Sequence, residues 1–232
     1  MTPKETLTRA TLRTPKAAAI AGILFSVLMT TALLLLRASV PADPLEQGAW
    51  LNTNARVVAF ALNLIPFAGI AFLWFIGVLR DRLGGREDRF FATVFLGSGL
   101  LFLAMLFVGA AVAGAMIVGF ANRPEELVGS ATFHLGRAVA YIIVNIYAIK
   151  MAGVFIITTS TLALYTGFAP RWIAFLGYGL AVLLLLGSSY IFGILVVFPI
   201  WVFLLSVYIL VENLRQPSQV EASRPEDAKP TP

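Results

Sequence analysis

From Trp172 to Val211 the chain runs for 40 residues without a charged side chain. A helix at the surface of a water-soluble fold needs a polar face, and this stretch supplies none. It is about twice the ~20 residues that cross ~30 Å of hydrocarbon, and Gly187-Ser188-Ser189 stand near its middle, where a chain turns. Two antiparallel membrane helices are the reading that fits, and they set the fold class: all-α and polytopic.

The rest of the chain follows the same grammar. Apolar runs over 17–36, 57–79, 90–120 and 138–167 each reach spanning length, so with 172–187 and 190–211 we expect a bundle of six transmembrane helices. The domain plan is a segment 1–16, a membrane domain 17–213 and a disordered tail 214–232 rich in Pro, Ser and charge. Residues are 59% hydrophobic and only 12% charged, against roughly 25% charged in an ordinary soluble domain. The Lys-rich and Arg-rich start, with Val40-Pro41-Ala42 further on, resembles a signal peptide, but a 20-residue run is long for a signal core and is expected to stay as the first helix.

Lys and Arg number 12 in the segments that one topology places inside, and four in those it places outside, which puts both termini in the cytoplasm. The net charge of +5 is spread over helix ends, so we read it as a topology signal and expect no nucleic-acid partner. The expected partners are the lipid bilayer and a second copy or another membrane protein. Two outer connections carry helix-start signals, Asp43-Pro44-Leu45-Glu46 and, more weakly, Asn122-Arg123-Pro124-Glu125.

Pro170, Arg171, Trp172 and Gly177, in "GFAPRWIAFLGYGLAVLLLL" after "TSTLALY", resemble a segment of uncharacterised six-helix bacterial membrane proteins. The resemblance implies six helices in a bacterial plasma membrane and no catalytic residues. Physics reads the motif on its own: Pro170 stops one helix, while Arg171 and Trp172 anchor the next at the headgroups.

Chemistry is hard to assemble from the remaining residues. Cysteine is absent and there is one histidine, so no metal site, haem or other cofactor is expected. Ser98 lies between Gly97 and Gly99 on the cytoplasmic half of the third run, and His134 lies in an outer connection, so they do not form a catalytic dyad. No catalytic residue is proposed. Gly109, Gly114 and Gly119 in "GAAVAGAMIVG" are expected to let helices approach closely.

Two polar features remain. His134, Arg137, Tyr141 and Asn145 are spaced 3, 4 and 4, one stripe on a helix, which either meets the headgroups, the preferred reading, or lines an outward vestibule. In "VNIYAIKMAG", Lys150 stands about 140° around the helix from Asn145. In the second run Asn63 and the Pro66-freed carbonyl of Leu62 are possible partners for it. If hydrocarbon begins at Ala138, Lys150 is at the midplane and needs a partner. Counted back from Arg171 and Trp172, it lies about five residues from the outer interface and can snorkel to water, a placement that Tyr141 and Tyr147 support as part of an aromatic belt.

The expectation is therefore a non-enzymatic plasma-membrane protein, an accessory or scaffold. Its rival is a transporter or ligand-binding protein with Asn63, Asn145, Lys150 and Tyr141 around an outward-facing cavity.

Overall fold

The computed structural model describes residues 14–41, 46, 48–83, 89–188 and 193–222. Among these, α1 spans Thr14–Ser39, α2 Leu51–Leu83, α3 Arg89–Asn122 and the single turn α4 Pro124–Leu127. Helix α5, Ala131–Ile142, passes through a π-helical segment, Ile143–Ala148, into α6, Ile149–Thr166. Helix α7 is Arg171–Gly187, and a 3₁₀ turn, Ile194–Val196, leads into α8, Val197–Ala222. No strand occurs among the described residues.

Five of these segments are long and apolar enough to cross a membrane: Ala19–Ser39, Leu51–Arg80, Phe90–Asn122, Ala131–Thr166 and Ile194–Leu214. The expected fifth helix of six is α7, whose 17 residues give it a length of about 26 Å at 1.5 Å per residue. Pro170, with extended backbone, holds its start.

The helices outrun the apolar runs that announced them. Helix α2 begins at Leu51 rather than at 57, and α5 at Ala131 rather than at 138. Hydropathy marks where hydrocarbon begins, whereas a helix continues into water wherever its end is capped. Ser130 caps α5 by accepting a hydrogen bond from the Phe133 amide at 3.1 Å. The α2 start is fixed by Asn54, whose side-chain amide donates to the Ser39 carbonyl at the end of α1, 2.9 Å away. The last apolar helix begins at Ile194 rather than at 190, after Gly193 turns the chain with a φ of +78°. Helix α8 also continues to Ala222, through the start of the segment expected to be a disordered tail; 223–232 lie outside the described residues. Of the two expected outer helix starts, Pro124 does open a turn, while Asp43, Pro44 and Leu45 lie outside the described residues.

Large apolar side chains face outward all round the bundle, among them Ile20, Leu24, Phe67, Trp74 and Phe175. Such continuous apolar exposure suits a lipid solvent. Inside, the helices meet on phenylalanine. Phe72 of α2 lies 4.7 Å from Phe25 of α1, 5.6 Å from Phe102 of α3, 5.2 Å from Phe155 of α6 and 5.6 Å from Phe198 of α8, ring centre to ring centre. Every one of these rings is fully buried. Five helices are thus joined through one aromatic hub.

Away from the hub, serine packs on glycine. A Cβ at Gly177 of α7 would stand 2.0 Å from Ser160 Oγ of α6, and one at Gly22 of α1 2.0 Å from Ser206 Oγ of α8. Neither serine hydroxyl has a hydrogen-bond partner, so each sits against glycine backbone, where a Cα–H···O contact is its available interaction. Gly177→Ala should destabilise the bundle by about 1–3 kcal/mol, and Ser160→Ala/Gly177→Ala by clearly less than the two single effects added together, because the second change removes the atom that clashes. Thermal unfolding of the four proteins in one detergent checks this; additive effects would mean that the two residues do not press on each other.

Candidate functional site

Helix α5 packs on α3, while α1 pairs with α2 and α8. Where these groups part, at the end of the bundle that carries Arg37, Trp50 and Arg137, they leave a cavity of about 920 Å³. Such a volume lies in the range of ~300–1,000 Å³ usual for small-molecule sites.

Its wall is mainly apolar: Met29 and Leu33 from α1, Leu62 and Ile65 from α2, Leu106, Ala110 and Ala113 from α3, and Leu195 from the 3₁₀ turn. The polar groups come chiefly from α5 and its π-helical continuation. His134, Arg137, Tyr141 and Asn145 all line the cavity, so the stripe shares one wall of it. Arg37 and Trp50 complete the polar lining. Arg37, Pro41, Tyr141 and Ile142 are also exposed, which leaves the cavity open at the end and flank of the bundle.

The α1–α2 connection is clamped to α5 beside this opening. Arg137 donates to the Glu46 carbonyl at 2.9 Å and to the Pro41 carbonyl at 2.7 Å, and its guanidinium lies 3.6 Å from the Glu46 carboxylate. That carboxylate also accepts from the amides of Gly48 and Ala49, both at 2.9 Å. Gly48 has a φ of +98° and lies over the buried Phe133 ring so closely that a Cβ would be 2.7 Å from it. Next to this turn, the indole N–H of Trp50 is buried and has no hydrogen-bond partner. Arg37 in turn lies against Gly193, where a Cβ would meet its guanidinium.

Of the four expected ligand-binding residues, the structure brings two together. Tyr141 and Asn145 line the cavity; Asn63 and Lys150 do not. Asn63 is exposed and its amide donates to its own helix, to the Ala59 carbonyl at 2.9 Å. Asn145 binds the Tyr141 carbonyl in the same way, at 3.2 Å. Lys150 leaves the stripe altogether: its ammonium donates to the Leu185 carbonyl, one of the last four of α7. Carbonyls at a helix C-terminus lack partners within the helix and carry the negative end of its dipole, so a cation is favoured there. Lys150 lies about 24 Å from the Thr166 end of α6, and Leu185 about 21 Å from the Arg171 end of α7, at 1.5 Å per residue. The lysine therefore reaches a helix end within the bundle, a partner that neither the midplane nor the snorkelling reading names.

The small residues of α3 divide likewise. A Cβ at Gly109 would be 2.4 Å from Val144 of the π-helical segment, a true close approach. One at Gly119 would make ordinary contact with Leu127, and one at Gly114 would meet nothing among the described residues. Arg171 and Trp172 are both exposed at the start of α7, as anchors would be. Ser98 bonds to the carbonyls of Val94 and Phe95 near the Arg89 end of α3, far along the bundle from His134. No group of three His, Cys, Asp or Glu able to hold a metal occurs among the described residues.

Sequence reasoning missed Trp50, Arg37, Ala110 and Ala113 as cavity residues. The signal for Trp50 was visible as an aromatic just after an expected helix start; nothing along the chain pairs α3 with α1. Compared with protein-family models, with curated proteins and with solved structures, the chain matches none.

Proposed function

We propose that the chain is a non-enzymatic, six-span protein of the bacterial plasma membrane, with both termini in the cytoplasm and an outward-facing cavity that binds a ligand. One observation carries this reading: the His134, Arg137, Tyr141 and Asn145 stripe, contiguous only on a helix, lines a single cavity whose other walls come from four further elements. The charge count supports the orientation, since the arginines at the cavity end belong to the poorly charged outer set. The rival centre at Lys150 loses support, because its ammonium serves the end of α7.

The chain has no cysteine, so a single introduced thiol labels without background. Asn145→Cys should react with a membrane-impermeant maleimide added outside intact cells, and Thr159→Cys, at a position 1% exposed, should not. Labelling of Asn145→Cys only after the membrane is opened would sink the outward orientation.

A further inference from the structure

We propose that the cavity holds an uncharged long-chain lipid, a hydrocarbon tail ending in a hydroxyl or carbonyl head; this rests on the outward-cavity reading above. Shape is the first argument. Leu51 and Ile65 of α2 both line the cavity and stand about 21 Å apart along their helix, and Leu106 and Ile117 of α3 about 17 Å, at 1.5 Å per residue. A slot of that length takes the ~15 Å of hydrocarbon in one leaflet, half of the ~30 Å core, with room for a head. Charge is the second argument. Arg137 is taken up by Glu46 and the Pro41 carbonyl, and Arg37 has a partner of its own. A charged head would have to compete for these groups or lie unpaired, and burying an unpaired charge costs far more than burying a hydroxyl. The His134 imidazole and the Tyr141 phenol, which line the same slot, can each donate and accept a hydrogen bond, as a hydroxyl or carbonyl head requires. Access is the third argument. Helix α5 packs on α3 and makes little contact with α1 or α2. Its lining residues Ala138, Tyr141 and Ile142 are exposed within the apolar run that opens at Ala138, so the slot reaches the flank of the bundle at the depth of hydrocarbon, where a lipid tail can enter.

The test uses the full chain in phosphatidylcholine nanodiscs. The probe is hexadecan-1-ol with a diazirine at the middle of its chain, crosslinked by light and mapped by mass spectrometry. Labels on the α3 wall between Leu106 and Ile117 should saturate as probe is added, while labels on the outward-facing Phe67 and Trp74 should keep rising, as expected for contact with bulk lipid. Plain hexadecan-1-ol should displace the saturable label. Hexadecyl sulfate and hexadecyltrimethylammonium, which keep the chain and add a charge of either sign, should each compete at least about tenfold less well. Ala113→Phe should abolish the saturable label by filling the wall. Labelling of the α3 wall that never saturates overturns the proposal, and so does either charged competitor matching the alcohol. An unchanged label in a folded Ala113→Phe variant overturns it too; the competitor order is read on the parent chain and stands should that variant fail to fold. Outside labelling of Asn145→Cys together with no saturable crosslink would reject the lipid and leave the outward cavity standing. A saturable crosslink with Asn145→Cys labelled only after the membrane is opened would keep the lipid and reverse the orientation.

Discussion

Phe72→Ala is expected to cost about 3–5 kcal/mol, the upper range for truncating one buried side chain. The ring is fully buried and touches rings from α1, α3, α6 and α8, so its removal opens a cavity at the point where five helices meet. In lipid the loss is one of contact rather than of shelter from water. Helix association there depends on packing, and each lost ring pair takes about 0.5–1.5 kcal/mol with it. Phe67→Ala is the natural control, since Phe67 is 63% exposed on the same helix. Equilibrium unfolding in mixed micelles should separate the two by more than about 2 kcal/mol, roughly the gap between a core and a surface truncation. Equal losses would mean that the aromatic hub does not hold the bundle together.

Lys150→Met should lower stability by about 1–3 kcal/mol, because the Leu185 carbonyl is left without its donor in an apolar setting. The loss should be local. Amide hydrogen exchange near the end of α7, around Leu185 to Gly187, should quicken more than exchange in α1 or α2. These readouts separate the roles of the lysine: a snorkelling lysine predicts neither effect, and a ligand-binding lysine leaves exchange at the end of α7 unchanged.

Much of the fold was legible because hydropathy is a local property. The apolar runs gave the membrane-scale helices, and Pro170 fixed the start of α7. Helix starts were misplaced wherever the chain leaves hydrocarbon before it leaves the helix. Leu51 and Ala131 are the cases, and their stabilising contacts come from Asn54 and Ser130. The polar run Thr158 to Thr161 is also explained locally: Thr158, Thr159 and Thr161 each donate to the carbonyl four residues before, which satisfies a hydroxyl without any partner helix. Thr161 also reaches across helices, 2.8 Å from the Tyr178 hydroxyl of α7, and Ser160 presses on Gly177 of the same helix.

The candidate site was legible by half. A 3, 4, 4 spacing is enough to place His134, Arg137, Tyr141 and Asn145 on one stripe, because that follows from helical periodicity alone. Whether the stripe faces headgroups or a cavity depends on what stands opposite, and residues from α1, α2 and α3 supply that wall. Asn63 entered the site on depth alone, and the rotation of α2 turned it outward.

By itself, then, the sequence determined the solvent, the class of fold, the start of α7 and the composition of each helix face, since each depends on near neighbours along the chain. Tertiary structure decided which faces meet. It gave Lys150 the end of α7, Phe72 its ring of partners and the α5 stripe its cavity, because those pairings depend on how helices far apart in sequence are rotated and packed, which no local pattern encodes.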